Sequence, residues 1–194
     1  MKPETTSLLM SKTLAFVFLV IGFLFPLNAF SQVMKTAETL PRGKFALSGS
    51  PTVYMDDGTN DIALFIYGLY GIGNNTSLRV RTGFFESDNY VGANLEWTMR
   101  RKGPAFTFSL GGHYVNDPAA DVTFNLTVPL KQNLELYGGL DADLIVDDDP
   151  DLPLWIFLGF SYKLLDHVDV MVEFDYGFVE IAPHVLASGF VFYF

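Results

Sequence analysis

The reactive side chains of this sequence are three histidines and a large excess of carboxylates, with no cysteine among its 194 residues. Without cysteine there is no thiol nucleophile, no thiolate metal site, no disulfide and no lipid-bearing cysteine anchor. A histidine acts as a general base when a carboxylate orients it. His113 stands on the polar side of its segment, with Asp141, Asp143 and Asp175 at comparable height on theirs. A Ser–His nucleophile pair needs direct hydrogen bonding. His113, His167 and His184 have no serine beside them, and Ser188 follows His184 by four positions. On an extended strand that separation is about 13 Å, too far for a proton relay. Asp147, Asp148, Asp149 and Asp151 crowd oxygen ligands around Pro150. Such a loop could bind a divalent cation weakly, although it lacks the spacing and glycine of a dedicated calcium loop. A solvated acidic turn fits the same residues. No cofactor is expected.

A second set of charged groups is defined by parity. Arg79, Arg81, Arg100, Glu96, Glu135, Asp141, Asp143, Glu173 and Asp175 fall on the polar faces of segments that alternate polar and apolar residues. In Val168–Phe178, for example, Val168, Val170, Val172, Phe174, Tyr176 and Phe178 oppose Asp169, Met171, Glu173, Asp175 and Gly177. Side chains alternate across a strand, so this pattern gives one wholly apolar face. Ten such segments are expected, at 43–55, 61–72, 76–85, 90–100, 104–115, 121–130, 133–146, 153–163, 167–178 and 184–194. The first is the weakest, because Pro51 removes a ladder donor. Were it and a neighbour miscounted, eight strands would remain. Tyr90, Tyr114, Trp155, Tyr162 and Phe178 fall near segment ends, where interfacial aromatics belong.

These segments must lie in a membrane or fold around a soluble core. The apolar faces are almost free of charge, and 49% of the chain is hydrophobic with 19 Phe. Strands survive in hydrocarbon only as a closed barrel, because every backbone polar group needs an internal partner. About ten residues per tilted strand span the apolar layer. The expected fold is therefore all-β, a closed antiparallel transmembrane barrel over 43–194. A leader precedes it. Lys2 and Lys12 precede the apolar run Thr13–Leu27, and the small residues Ala29 and Ser31 stand before Gln32. That is the form of a signal peptide over 1–31, cleaved on export. Residues 32–42 are then a short N-terminal segment in the periplasm. The net charge of −10 argues against nucleic acid as a partner.

The last strand ends on Phe190, Phe192 and Phe194, with Gly189 preceding them. This resembles the C-terminal assembly signal of Gram-negative outer-membrane β-barrels. Ala187 departs from it, standing where a polar residue is usual. The resemblance implies outer-membrane location, insertion by the barrel-assembly machinery with periplasmic chaperones, and outer-membrane lipid around the barrel. Periplasmic turns are usually the shorter set. That places Asp56–Asn60, Glu86–Asn89, Asn116–Ala120, Asp147–Leu152 and Val179–Pro183 outside. The expected function is a small porin or transport-type channel whose acidic lumen prefers cations. The alternative is a closed, salt-bridged structural or interaction barrel without conductance. An enzyme acting on lipid A or peptides fits least, because outer-membrane proteases of ten strands carry long outer loops.

Overall fold

The structure, a computed structural model, describes residues 36, 39–56, 59–86, 88–100, 103–146, 151–179 and 181–194, without the side chains of 56, 59, 60 and 100. The leader over 1–31, most of the 32–42 segment and Asp147, Asp148 and Asp149 lie outside the described residues.

Ten strands form: β1 (Phe45–Asp56), β2 (Thr59–Gly71), β3 (Thr76–Phe84), β4 (Asn89–Arg100), β5 (Ala105–Tyr114), β6 (Pro118–Lys131), β7 (Leu134–Ile145), β8 (Leu154–Leu165), β9 (Val168–Gly177) and β10 (His184–Tyr193). Each pairs antiparallel with its neighbours, and β10 returns to β1 to close the barrel. The count of ten holds. The largest boundary error is at β6, which begins at Pro118, three positions before the expected start. Proline is tolerated there because the first strand residue need not donate. Pro129, near the other end of β6, sits beside a register shift.

Pro51 is accommodated within β1. The β1–β10 ladder runs from Gly49↔Phe190 to Thr52↔Ala187 and skips the pairs between them. There the Ser188 carbonyl accepts from the Ser50 hydroxyl at 3.0 Å instead of from a backbone N–H.

Parity sets the two surfaces. Outward-facing Ile62, Val91, Leu140, Leu158, Phe174 and Phe192 are 42–56% exposed, and similar residues continue around the wall. No charged side chain interrupts this belt between the rims among the described residues. A soluble monomer does not expose a continuous apolar surface of this extent. A lipid bilayer is the solvent that fits it.

One rim holds the start of β1, the end of β10 and the turns β2–β3, β4–β5, β6–β7 and β8–β9. We call it the terminal rim and the opposite one the far rim. Terminal-rim connections run to at most four residues (72–75 and 101–104), whereas the far rim includes 146–153 and 178–183.

The chain ahead of β1 is tucked into the terminal mouth. Leu40 N donates to Ser77 Oγ at 2.8 Å, and Thr39 N donates to Thr98 Oγ1 at 3.2 Å. Gly71 makes room, since a Cβ there would collide with the Pro41 and Leu40 carbonyl oxygens. Gly43, with φ of 79°, turns the chain from this strap into β1.

Candidate functional site: a charged and aromatic lumen

The interior of a ten-stranded barrel is wider than side chains of average size can fill. This chain fills it with charged and aromatic side chains, most of the charges on β3 to β7 and most of the aromatics on the other strands. Strands β3 to β7 contribute Arg79, Arg81, Asn94, Glu96, Asp121, Thr123, Asp141 and Asp143, all buried. Strands β1, β2 and β8 contribute Tyr54, Phe65, Tyr67 and Phe157, also buried, and β4 and β7 add Tyr90 and Tyr137.

The charges form connected pairs. Arg79 Nε lies 2.5 Å from Glu96 Oε1 across the β3–β4 pair. Arg81 Nη2 donates to Asp121 Oδ2 at 3.0 Å, reaching across the lumen from β3 to β6. The amide of Asn94 donates to Asp121 Oδ1. Asp121 and Asp143 are direct cross-strand partners, a like-charge pairing that needs a cation between or beside them. His113 sits there, with Nδ1 3.4 Å from Asp121 Oδ2 and Nε2 3.8 Å from Asp143 Oδ2. An imidazolium can serve both carboxylates at once, whereas neutral imidazole donates to only one. Tyr90 stacks on the His113 ring at 4.9 Å and receives the Arg81 guanidinium on its own ring at 5.3 Å. Thr123 Oγ1 donates to Asp141 Oδ1 at 2.6 Å.

Seven of the nine residues expected in the lumen are buried there: Arg79, Arg81, Glu96, Asp141, Asp143, Glu173 and Asp175. Glu135 is only half-buried. It lines a cavity of about 310 Å³ at the terminal mouth with Thr39, Leu40, Ser161, Asp169 and Tyr193. The side chain of Arg100 lies outside the described residues.

The carboxylates expected beside His113 are Asp141, Asp143 and Asp175. Of these only Asp143 makes an ion pair with it, and Asp121 joins instead. Asp121 shares the parity of Thr123, Asn125 and Thr127, and that polar face was the signal for it. The cluster also has the composition of a metal site, since ligand atoms of His113, Asp121 and Asp143 lie within 4.8 Å of one another. Arg81 already occupies the Asp121 oxygen that faces this space. A divalent ion would have to displace a buried guanidinium, so the set fits a metal poorly.

Aromatic and aliphatic side chains share the lumen with the expected charges. Phe65, Tyr67, Phe157, Val185 and Val191 point inward. On those strands both faces are apolar, so alternation alone could not separate lumen from lipid. Two of the expected interfacial aromatics are interior: Trp155 for the same reason, and Tyr90 because it shares the parity of Asn94 and Glu96, whereas Tyr114 and Phe178 stand exposed at strand ends. Trp155 Nε1 donates to the Pro183 carbonyl at 2.8 Å under the far rim. On β10, Phe190 and Phe192 share the outward face, with Phe194 just past the strand at the same parity, and Gly189 lies inward between Ala187 and Val191.

No protein-family model matches the sequence, and no curated protein matches it either. Solved structures do. An outer membrane channel from Pseudomonas putida F1 is 9% identical, with a TM-score of 0.58 over 84% of this chain and 100% of that one. The translocator domain of the autotransporter NalP from Neisseria meningitidis is 9% identical, with a TM-score of 0.47 over 81% of this chain and 91% of that one. The KdgM porin in complex with disordered oligogalacturonate is 9% identical, with a TM-score of 0.47 over 78% and 99%. At these identities the likeness is one of fold, and it rests on the first of the three: the chain has the fold of the outer-membrane β-barrels.

Proposed function

We propose that this chain is an outer-membrane barrel forming a narrow, cation-preferring channel, whose lumen is held shut by the Arg81–Asp121–His113–Asp143 network. The charge of the buried wall supports this reading. Among the described residues, the buried carboxylates Glu96, Asp121, Asp141, Asp143, Glu173 and Asp175 outnumber the buried arginines Arg79 and Arg81, and none of the eight is more than 5% exposed. A wall with that excess of carboxylates favours cations over anions along any path that opens beside it. The burial of its members closes that path in this conformation. Export by the 1–31 leader and insertion through the Phe190, Phe192 and Phe194 motif belong to the same proposal.

A second reading, a closed structural barrel, is favoured by the packing of Phe65, Tyr67 and Phe157 into the same lumen. Single-channel recording of residues 32–194 in planar bilayers separates the two. A gated channel gives rare cation-preferring openings in the wild type and frequent ones in Arg81→Ala. Replacing Asp141, Asp143 and Asp175 by Asn then removes the cation preference. A folded barrel that stays silent in both the wild type and Arg81→Ala sinks the channel reading.

A further inference from the structure

The two rims differ in charge: exposed lysine and arginine occur at one and not at the other among the described residues. At the terminal rim Arg42, Lys44, Lys131 and Lys163 are all exposed, and they are spread around the circumference from β1 to β6 to β8. Asp166 lies 3.2 Å from Lys163 Nζ in an ion pair on the surface, and both line the terminal-mouth cavity with Glu135 and Asp169. The 101–104 connection adds Arg101 and Lys102 to the sequence of this rim. At the far rim Asp61, Glu86, Asp88, Asp117 and Asp151 carry acid only, with no lysine or arginine there among the described residues. The sequences of its connections add Asp57, Asp147, Asp148, Asp149 and Glu180, and again no base.

We propose that the terminal-rim ring of Arg42, Lys44, Lys131 and Lys163 binds anionic glycerophospholipid headgroups in the leaflet from which the barrel inserts; this rests on the membrane reading above. Headgroup phosphates lie just beyond the apolar belt, at the height of these side chains. Long basic side chains extend their charge into that layer while their stems cover apolar surface. Each lysine or arginine near an anionic surface adds to the attraction, and salt screens it.

Insertion physics selects the leaflet. When hairpins cross a bilayer, the connections that cross carry their charges through hydrocarbon, and lysine and arginine cost more there than aspartate or glutamate. The acid-only far rim is therefore the one that crosses. The basic rim stays in the leaflet of origin, which in an outer membrane is the periplasmic phospholipid leaflet.

The test is native mass spectrometry of the barrel released from nanodiscs of phosphatidylcholine with phosphatidylglycerol. The wild type should retain phosphatidylglycerol over phosphatidylcholine, and raising salt before release should weaken that preference. Replacing Arg42, Lys44, Lys131 and Lys163 together by Gln should cut it by about tenfold or more. Replacing Asp61, Glu86 and Asp117 by their amides should leave it unchanged. Equal retention of both lipids, or a preference that survives the fourfold replacement, overturns the proposal. A stronger preference of the same residues for a phosphorylated glycolipid overturns the assignment of lipid and leaflet. A chain that enters no bilayer at all overturns the membrane reading itself.

Discussion

Replacing Arg81 by Ala tests whether the lumen is a closed, low-dielectric interior. Arg81 is 2% exposed and its partner Asp121 is fully buried, 3.0 Å away. Removing one member of a buried ion pair costs about 3–5 kcal/mol, and the contacts of Asn94 and His113 with Asp121 hold the loss toward the lower end of that range. Loss of the guanidinium over the Tyr90 ring adds about 1 kcal/mol. Against this, Arg81 Nε has no hydrogen-bond acceptor, so part of the desolvation cost of the arginine is recovered on its removal. The net expectation is about 3–5 kcal/mol. With a urea slope of about 2 kcal/mol/M, the unfolding midpoint should fall by about 1.5–2.5 M. The assay is equilibrium unfolding in phospholipid vesicles, followed by the fluorescence of Trp97 and Trp155. Arg81→Met combined with Asp121→Leu should restore most of the loss, since replacing both partners by apolar groups is close to neutral. A cost below about 1 kcal/mol for Arg81→Ala would refute the reasoning. That is the value of a solvated surface pair, and it would mean the lumen already holds water.

Two further substitutions probe the packing around this network. The Tyr67 hydroxyl is fully buried without a hydrogen-bond partner. Tyr67→Phe is therefore expected to cost nothing and to stabilise by up to about 1 kcal/mol in the same unfolding assay; a loss of more than that would show that the hydroxyl is bonded. A Cβ at Gly71 overlaps the Pro41 and Leu40 carbonyl oxygens. Gly71→Val should therefore expel the strap over residues 39–41 and speed tryptic cleavage after Arg42 in the folded barrel. Unchanged cleavage would mean that the strap does not depend on this close approach.

Strand number, pairing sense and the outward belt were legible in the sequence because strand parity is a strict period of two. On β9, valines and aromatics could face lipid only if Glu173 and Asp175 faced the lumen, and they do. The strap was not legible, because Thr39 and Leu40 are held by hydroxyls of Ser77 and Thr98, far away in sequence. The partners of the buried charges were not legible either. Arg81 reaches Asp121 across three strand boundaries, a distance set by barrel curvature rather than by any spacing along the chain. The inward aromatics escaped for a different reason. Parity distinguishes faces only when they differ in polarity, and Leu64, Phe65, Ile66 and Tyr67 carry no such contrast.

That division of the wall fixes where a path could open. Tyr54, Phe65, Tyr67 and Tyr90 pack ring against ring, with Phe65 5.9 Å from Tyr67 and 5.3 Å from Tyr90. Opening a path among them would expose apolar surface to water at about 25 cal/mol per Å², offset only by hydration of the buried Tyr67 and Tyr90 hydroxyls. On the β3–β7 side, separating Arg81 from Asp121 costs Coulomb energy, but water entering the gap solvates both charges and offsets much of it. The charged half is therefore the side that yields. On the channel reading proposed above, the ion path runs along Glu96, Asp121, Asp141 and Asp143, with the Tyr90–His113 stack at its border with the aromatic half. On that reading, opening is hydration of these salt bridges, with the β-barrel itself left intact.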